Sequence, residues 1–289
     1  MDIKQKIPWW MKIIIKLILS RIPLDYSMWR NIIFKHGSML DPSYAYNIFL
    51  KHYKKLENST NKSNLVVLEL GPGDSIYSAM ISYSFGASHT YLIDTDNYAS
   101  ENMNHYLQMA EYLEKKGKLF PSIKNINSVK EILKTCKAEY LTEGVASLRT
   151  IPENSIDLIW SEAVFEHIQL SDFDTILVEL KRILKPNGLI SNRIDLRDHL
   201  AHSLNNLRFS SRMWESNFMK NSGFYTNRIR YSQMLNIFKN KGFNVESNVI
   251  ETWDKLPIPR SKLSSDFIHL SDKDLCVKVY DVLLHIRDS

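Results

Sequence analysis

The chain has few cysteines for its 289 residues, and they are poorly placed for chemistry. Cys136 and Cys276 lie far apart in the sequence and show no metal-ligand spacing. This excludes a disulfide-stapled secreted fold and a cysteine zinc site, and it predicts inert core thiols in a reducing compartment. The chain also lacks internal repeats and low-complexity tracts. It is long enough to bury a full α/β core and still carry an extra element.

The excess of positive over negative charge is confined to the N-terminal part of the chain. The net charge is +5, yet residues 1–62 alone hold eleven Lys/Arg against four Asp/Glu. The rest of the chain is therefore slightly acidic, and it has no Asn-Pro-Pro-Tyr-like motif for holding a base. We predict that nucleic acid is not a partner.

No apolar run is long enough to cross a bilayer. The most apolar segment, residues 9–22, would make a helix of about 21 Å, against roughly 30 Å of hydrocarbon. Lys12 and Lys16 interrupt it and no small-residue cleavage site follows, so it is not typical of a signal peptide. We expect residues 4–23 either to contact an anionic membrane surface peripherally or to pack on the catalytic domain or a dimer partner.

The sequence does contain a strong strand-and-turn signal at residues 66–74, Val-Val-Leu-Glu-Leu-Gly-Pro-Gly-Asp. It predicts a buried parallel strand that enters a tight turn and then a helix. Gly71 and Gly73 would let bare backbone approach a ligand. A dinucleotide site would need a third glycine where Ile76 stands, and Glu69 suits an ammonium group better than two phosphates.

A second predicted strand, residues 89–94, ends in an acidic residue. Its spacing in the sequence from the glycine turn is about that at which a carboxylate binds a ribose diol in nucleotide-binding βαβ units. The Glu-Leu-Gly-Pro-Gly turn followed by Asp94 resembles the first two motifs of class I S-adenosylmethionine-dependent methyltransferases. Residues 151–168 and 177–188 are similar to the fourth-strand region and next helix of the branch called methyltransferase type 11. The resemblance covers roughly residues 64–195.

This resemblance implies an α/β fold, a Rossmann-like three-layer sandwich with a mostly parallel seven-stranded sheet whose last strand is antiparallel, plus an N-terminal helical cap. We divide the chain into a basic, aromatic helical extension, residues 1–62, and a methyltransferase domain, residues 63–289, with a substrate-binding insertion at about 196–230. Helices are predicted at 26–57, 75–85, 97–116, 124–135, 171–185 and 226–241, and strands at 66–70, 89–94, 138–141, 156–160, 188–194, 242–246 and 277–287.

The cofactor implied is S-adenosyl-L-methionine, and no metal site is predicted. The positions that match the family's cofactor contacts are Glu69, Gly71, Gly73, Asp94, Val145, Ala146, Ser161 and Glu162. Relatives often carry an aspartate for the adenine amino group where this chain has Val145. We therefore expect backbone groups and apolar contact to hold the adenine.

Methyl transfer to a hydroxyl also needs a base, because the acceptor must lose a proton. Our first candidate is His199, oriented by Asp198 or Asp195, with His202 as another. The alternative is that residues 192–202 form a polar lid whose hydrogen bonds are all satisfied. His167 resembles a pocket-lining residue with a catalytic role, and its alternative is a residue that only shapes a turn.

The insertion and its surroundings are predicted to bind the acceptor through Glu166, Asp195, His202, Arg208, Trp214 and Tyr225, although packing on the N-terminal cap is an alternative for each aromatic residue. The resemblance extends to bacterial methyltransferases of cell-envelope polysaccharide synthesis, so we expect a glycan or small-molecule hydroxyl as the acceptor. Alternatives are a cofactor-binding scaffold without turnover and an enzyme acting on a lipid or quinone-like acceptor. We expect a cytoplasmic protein, associated with the inner face of the membrane if residues 4–23 bind it. The oligomeric state is not predicted.

Overall fold

A seven-stranded sheet forms the centre of the computed structural model, which describes residues 8, 10–11, 13–14, 39–56, 64–118, 120–121 and 126–287. The strands are β1 Val66–Leu70, β2 His89–Ile93, β3 Ala138–Leu141, β4 Ile156–Glu162, β5 Leu184–Asp195, β6 Phe243–Thr252 and β7 Val277–Ile286. Their order is β3-β2-β1-β4-β5-β7-β6. β7 runs antiparallel to both of its neighbours, and the other pairs are parallel. The predicted Rossmann-like class is confirmed.

Helices cover both faces of this sheet and complete three layers. They are α1 Pro42–Tyr53, α2 Tyr77–Ser84, α3 Met103–Lys115, α4 Val129–Thr135, α5 Val145–Thr150, α6 Leu170–Ile183, α7 Ser211–Trp214, α8 Asn217–Lys220, α9 Tyr231–Asn240 and α10 Asp272–Leu275. α1 to α4 pack in one apolar cluster, whereas α5, α6 and α9 pack in another on the opposite face. β1 serves both clusters, because Val67 belongs to the first and Leu68 to the second. Its continuous apolar sequence follows from this burial on both faces.

Several element boundaries differ from the predicted ones for local reasons. α6 ends at Ile183, two residues early, because Pro186 disfavours helical geometry at the residue before it. β5 then begins at Leu184 rather than at residue 188. α3 begins at Met103 rather than at residue 97, because the Asn102 side chain caps the first turn of the helix.

The N-terminal part is described only in places. Of the predicted helix over 26–57, the described residues are helical from Pro42, where Asp41 caps the first turn and proline occupies the first position. Residues 26–38 lie outside the described residues, as does the proposed boundary at residue 62.

No helix among the described residues is long and apolar enough to cross a membrane. Both cysteines are buried and neither forms a disulfide. Burial raises the pKa of the Cys136 thiol to about 12, which suits the inert thiol predicted for it.

Candidate active site

The turn after β1 places two glycines at the carboxyl end of the sheet. Gly71 and Gly73 have φ angles of +69° and +62°, in the left-handed region. A Cβ atom at Gly71 would lie 2.6 Å from a methyl carbon of Val164, whereas a Cβ at Gly73 would meet no atom within 4 Å. The first glycine thus permits close packing against the loop after β4, and the second leaves bare backbone facing open space.

The side chain of Glu69 lies just beneath this turn. It is 2% exposed, and its Oε2 atom accepts no hydrogen bond from the described residues. Burial raises the pKa of this carboxyl to about 8, although a hydrogen bond with Ser78 acts in the opposite direction. A buried carboxyl with an unsatisfied oxygen needs a donor, and a ligand ammonium group would supply one.

Asp94 joins the end of β2 to the glycine turn. Its carboxylate accepts the Gly73 N–H at 3.0 Å and the Thr95 N–H at 2.8 Å. Burial raises the pKa of Asp94 to about 6, although both backbone bonds lower it. The acid therefore lies at the carboxyl rim beside bare backbone, where a ribose diol could donate to it.

These two raised pKa values give cofactor binding a definite pH dependence. Near pH 7 without ligand, Glu69 holds its proton, and Asp94 loses its own only above about pH 6. An ammonium group and a ribose diol favour the ionised carboxylates, so binding must release protons, and affinity must rise with pH until about pH 8, where unliganded Glu69 loses its proton. Calorimetry with S-adenosylhomocysteine in buffers of different ionisation enthalpy measures the released protons.

Glu69→Gln is the matched variant for that measurement. It keeps the side-chain size but cannot ionise, so we expect binding to weaken roughly 10- to 100-fold, as for loss of a hydrogen bond to a charged group. The proton release at pH 7 should fall with it. A variant that binds as tightly as the parent, with the same proton release, would show that Glu69 does not face the ligand.

The end of β3 forms the next part of this rim. Gly144 has a φ angle of +55° and donates its N–H to the Asp94 carbonyl at 2.8 Å. α5 follows directly at Val145, and Ala146 is exposed. This segment therefore offers backbone and apolar groups next to Asp94, and the adenine contacts of Val145 and Ala146 stay predictions.

The predictions for Ser161 and Glu162 need correction at the level of their side chains. Ser161 is fully buried and donates its hydroxyl to the Asn192 side chain at 2.8 Å. Glu162 accepts from Lys51 at 3.2 Å and hydrogen-bonds the His52 ring at 3.1 Å, and both partners are on α1. These side chains stabilise the sheet and fix α1 on it, so any cofactor contact here would come from backbone.

Sequence reasoning missed the ionic cluster around Glu162. Arg193 pairs with Asp281 at 2.8 Å and lies 3.8 Å from Glu162, while Lys51 lies 3.3 Å from Asp281. The strand register explains the row, because Glu162, Arg193 and Asp281 are direct neighbours across β4, β5 and β7. Burial lowers the pKa of His52, so this ring is neutral near pH 7 and links the strands through hydrogen bonds.

The loops after β4 and β5 bring two of the predicted catalytic residues together. The Nε2 atoms of His167 and His199 are 3.0 Å apart, and their rings stack at 4.7 Å. His167 Nδ1 lies 3.0 Å from the Tyr225 carbonyl, which can only accept, so that nitrogen carries a proton. In the neutral pair His199 therefore donates through Nε2, and its Nδ1 is the basic nitrogen.

Asp198 and Asp195 have other partners than those predicted. The Asp198 carboxylate is 1% exposed and accepts three backbone N–H groups, from Leu200, Ala201 and Asn205. These bonds give it the role of ordering the loop that carries His199, which corrects its predicted catalytic role. Asp195 forms a bidentate pair with Arg197. His202, at a φ angle of +53°, is exposed on the same loop.

Glu166 is an interior residue, which corrects its predicted contact with substrate. It is 2% exposed and accepts the Asp195 N–H at 3.2 Å, while its carbonyl accepts the Asn227 N–H at 2.7 Å. Burial raises its pKa well above the usual range. Glu166 thereby ties the loop after β4 to β5 and to the insertion. Arg208 is half-buried and donates to the Asn205 side chain, and its contact with substrate stays a prediction.

Trp214 and Tyr225 form the core of the insertion, as the packing alternative predicts. Trp214 is fully buried and donates its indole N–H to the Thr226 carbonyl at 2.7 Å. Tyr225 is 5% exposed and donates its hydroxyl to Glu215. Both pack in one cluster with Ile13 from the N-terminal segment, so neither is placed to stack on an acceptor.

Trp214→Ala should therefore destabilise the protein. We expect a loss of about 3–5 kcal/mol in the free energy of unfolding, as for other large-to-small core substitutions. The matched control is Met213→Ala, because that neighbour is 51% exposed and should cost less than about 0.5 kcal/mol. Urea denaturation measures both. Equal stability of the two variants would show that the cluster does not hold the insertion.

Comparisons with known proteins find the following similarities. A family model described as "Methyltransferase domain" matches residues 68–191. The fold is similar to that of phosphoethanolamine N-methyltransferase 2 from Haemonchus contortus in complex with S-adenosylmethionine, at 13% identity and a TM-score of 0.49, over 93% of this chain and 61% of that one. It is also similar to an S-adenosylmethionine-dependent methyltransferase from Archaeoglobus fulgidus, at 13% identity and a TM-score of 0.47, over 90% and 99%.

The fold is also similar to a second structure of the Haemonchus contortus enzyme, in complex with phosphomonomethylethanolamine and S-adenosylhomocysteine. The identity to that structure is 15% and the TM-score is 0.46, over 84% of this chain and 53% of that one. The chain thus spans between half and two thirds of that enzyme's length. A search of curated proteins finds no match.

Proposed function

We propose that the chain is a class I S-adenosylmethionine-dependent methyltransferase, and that it methylates a hydroxyl of a glycan or small-molecule acceptor in cell-envelope polysaccharide synthesis. The observation that carries the proposal is the contact between His167 and His199 at the rim of the sheet. A neutral amine attacks through a lone pair that is already free, whereas a hydroxyl must lose its proton and benefits from a base positioned close by.

The residues around the glycine turn fit the cofactor. Glu69 has an unsatisfied buried oxygen for the methionine ammonium, Asp94 offers its carboxylate to the ribose, and Gly73 leaves the space that a side chain would fill. When bound, S-adenosylmethionine supplies an electrophilic methyl group on a sulfonium. The protein's contribution is then to hold that group and the acceptor in line and away from water.

The histidine pair provides a route for the acceptor proton. His199 takes it on Nδ1, and the charge formed is shared through the Nε2 contact with His167. His167 in turn is fixed by its bond to the Tyr225 carbonyl, so the pair keeps its orientation during the transfer. His167 is a positioning residue in this scheme and His199 is the base.

The competing hypothesis is a scaffold of the same fold that binds the cofactor without turnover. Calorimetry with S-adenosylmethionine and S-adenosylhomocysteine, followed by an S-adenosylhomocysteine release assay on fractionated envelope extracts, separates the two. Tight binding with release from a polysaccharide fraction supports our proposal. Binding without release from any fraction supports the scaffold, and release from the lipid fraction alone favours the lipid or quinone-like acceptor.

We further propose that the N-terminal segment rests on the inner face of an anionic membrane. Ile13 packs in the cluster of the insertion, while Trp10 and Ile14 remain about half exposed. Met213 and Phe218 on the insertion are also about half exposed, so the two segments offer apolar side chains next to a basic N-terminal sequence. Deletion of residues 1–23 should abolish sedimentation with anionic vesicles. Unchanged sedimentation would leave the packing of Ile13 as the segment's role.

A further inference from the structure

A groove of about 770 Å³ lies between the end of β6 and the start of β7, apart from the glycine turn and the histidine pair. Residues 252–260 form one wall, and the other includes Asp272 and Lys273. Because β6 and β5 are both antiparallel to β7, they run in the same direction. The groove therefore opens at the same carboxyl rim as the candidate active site.

Direct contacts connect this groove to the loop that carries His199. Arg197, two residues earlier, pairs with Asp195 and lies 3.8 Å from Glu251 at the end of β6. Leu196 donates its N–H to the Lys278 carbonyl at 2.7 Å. β6 is two strands away from β5 in the sheet, so about 10 Å separate the strand ends. An acceptor of several linked rings can reach from the histidine pair into the groove.

Contacts within the protein brace the walls of this groove. Arg260 donates to the carbonyls of Ile268 at 2.8 Å and Leu270 at 2.9 Å, and it also pairs with Asp272 on the opposite wall. Ile258 is 4% exposed and packs in an apolar cluster beneath the wall. A braced groove loses little conformational entropy when a ligand binds.

Its chemistry suits a ring that carries negative charge. Trp253 offers a half-buried indole, and the Lys278 ammonium lies 5.4 Å from its centroid. Lys255 and Lys273 are exposed and form no ion pair with any described residue, whereas Arg260 and Asp272 neutralise each other. Only Asp254 opposes the two lysines within the lining. Indoles stack on sugar faces, and ammonium groups bind carboxylate or phosphate.

We infer that this groove is a subsite for a distal, anionic saccharide unit of the acceptor, one that bears a carboxylate or a phosphate. The inference rests on the proposed function, because it makes the acceptor an extended glycan rather than a single small ring. It also predicts that the groove binds such a saccharide without the cofactor and without turnover.

The test is ¹⁹F NMR of the full chain labelled with 5-fluorotryptophan, with the Trp253 resonance assigned by Trp253→Phe. Tetragalacturonate, glucose 1-phosphate and neutral maltotetraose are titrated separately. We expect the Trp253 resonance to shift with at least one anionic probe. A shift with tetragalacturonate indicates carboxylate recognition, and a shift with glucose 1-phosphate indicates phosphate recognition. In the double variant Lys255→Gln/Lys273→Gln that affinity should fall roughly 5- to 10-fold, while Lys239→Gln, an exposed lysine on α9, should leave it unchanged.

The inference is overturned if the Trp253 resonance shifts with neither anionic probe. It is also overturned if neutral maltotetraose shifts the resonance equally and the double lysine variant does not change that response. Because this measurement involves no methyl transfer, its failure is distinct from failure of the proposed function. Saccharide binding in the groove without any S-adenosylhomocysteine release would contradict the proposed function but not the saccharide site. Release without saccharide binding in the groove would contradict the saccharide site but not the proposed function.

Discussion

Asp94→Ala is expected to weaken binding of S-adenosylhomocysteine at least about 100-fold. The carboxylate accepts two backbone N–H groups, one from the glycine turn and one from Thr95. Hydrogen bonds to charged groups contribute roughly 1.5–3 kcal/mol each. The variant loses the acceptor for the ribose diol and also the bond that orders Gly73, so both effects reduce affinity. Isothermal titration calorimetry at constant pH measures the change.

The matched control for this substitution is Asp96→Ala. Asp96 is exposed two residues further along the same loop, and its side chain accepts the N–H of its own neighbour, Asn97. We expect less than a threefold change in affinity. Thermal unfolding of both variants shows whether the loop still folds. Equal affinity of Asp94→Ala and the parent would mean that the cofactor lies elsewhere, because the Asp94 carboxylate bonds the glycine turn directly.

The parts of this structure that short sequence stretches determine could be predicted from them. The strand β1 and its glycine turn are such a stretch, because burial on both faces requires a continuous apolar run and the positive φ angles favour glycine. Asp94 follows at a distance that one βαβ unit fixes. The parallel order of the sheet then follows from the resemblance to a known family.

Contacts between distant segments could not be predicted in the same way. The cluster around Glu162 depends on where α1 lies against the sheet, and nothing in the sequence of α1 specifies Lys51 or His52 as the partners. For Trp214 the chemistry itself is ambiguous, because an indole stacks equally well on a sugar or on Tyr225. Only its complete burial decides between the two interpretations.

His167 and His199 are an intermediate case. Each was identified as a candidate because imidazole titrates near neutrality and because each follows a strand of a parallel sheet. The carboxyl ends of β4 and β5 lie side by side, so loops after these strands must come close together. The sequence therefore predicts proximity, whereas the 3.0 Å contact depends on the loop order that Asp198 provides.

His199→Ala is expected to lower kcat by about 10²- to 10⁴-fold, the range for loss of a general base. S-adenosylhomocysteine affinity should stay within about twofold, because the cofactor residues lie on β1 and β2. The rate is measured as S-adenosylhomocysteine release with the active envelope fraction. The control is His269→Ala, an exposed histidine between β6 and β7 that should leave kcat within about twofold.

His167→Asn distinguishes a catalytic pair from two independent histidines. Asparagine keeps a polar side chain but cannot share charge with His199 through an Nε2 atom, so we expect a smaller loss in kcat, about tenfold. In the double variant His167→Asn/His199→Ala the effects should not multiply, because residues that act as a unit are non-additive. Losses in kcat that multiply in the double variant would show that the two histidines act independently. A parent-like kcat for His199→Ala would show that His199 is not the base and that another group deprotonates the acceptor hydroxyl.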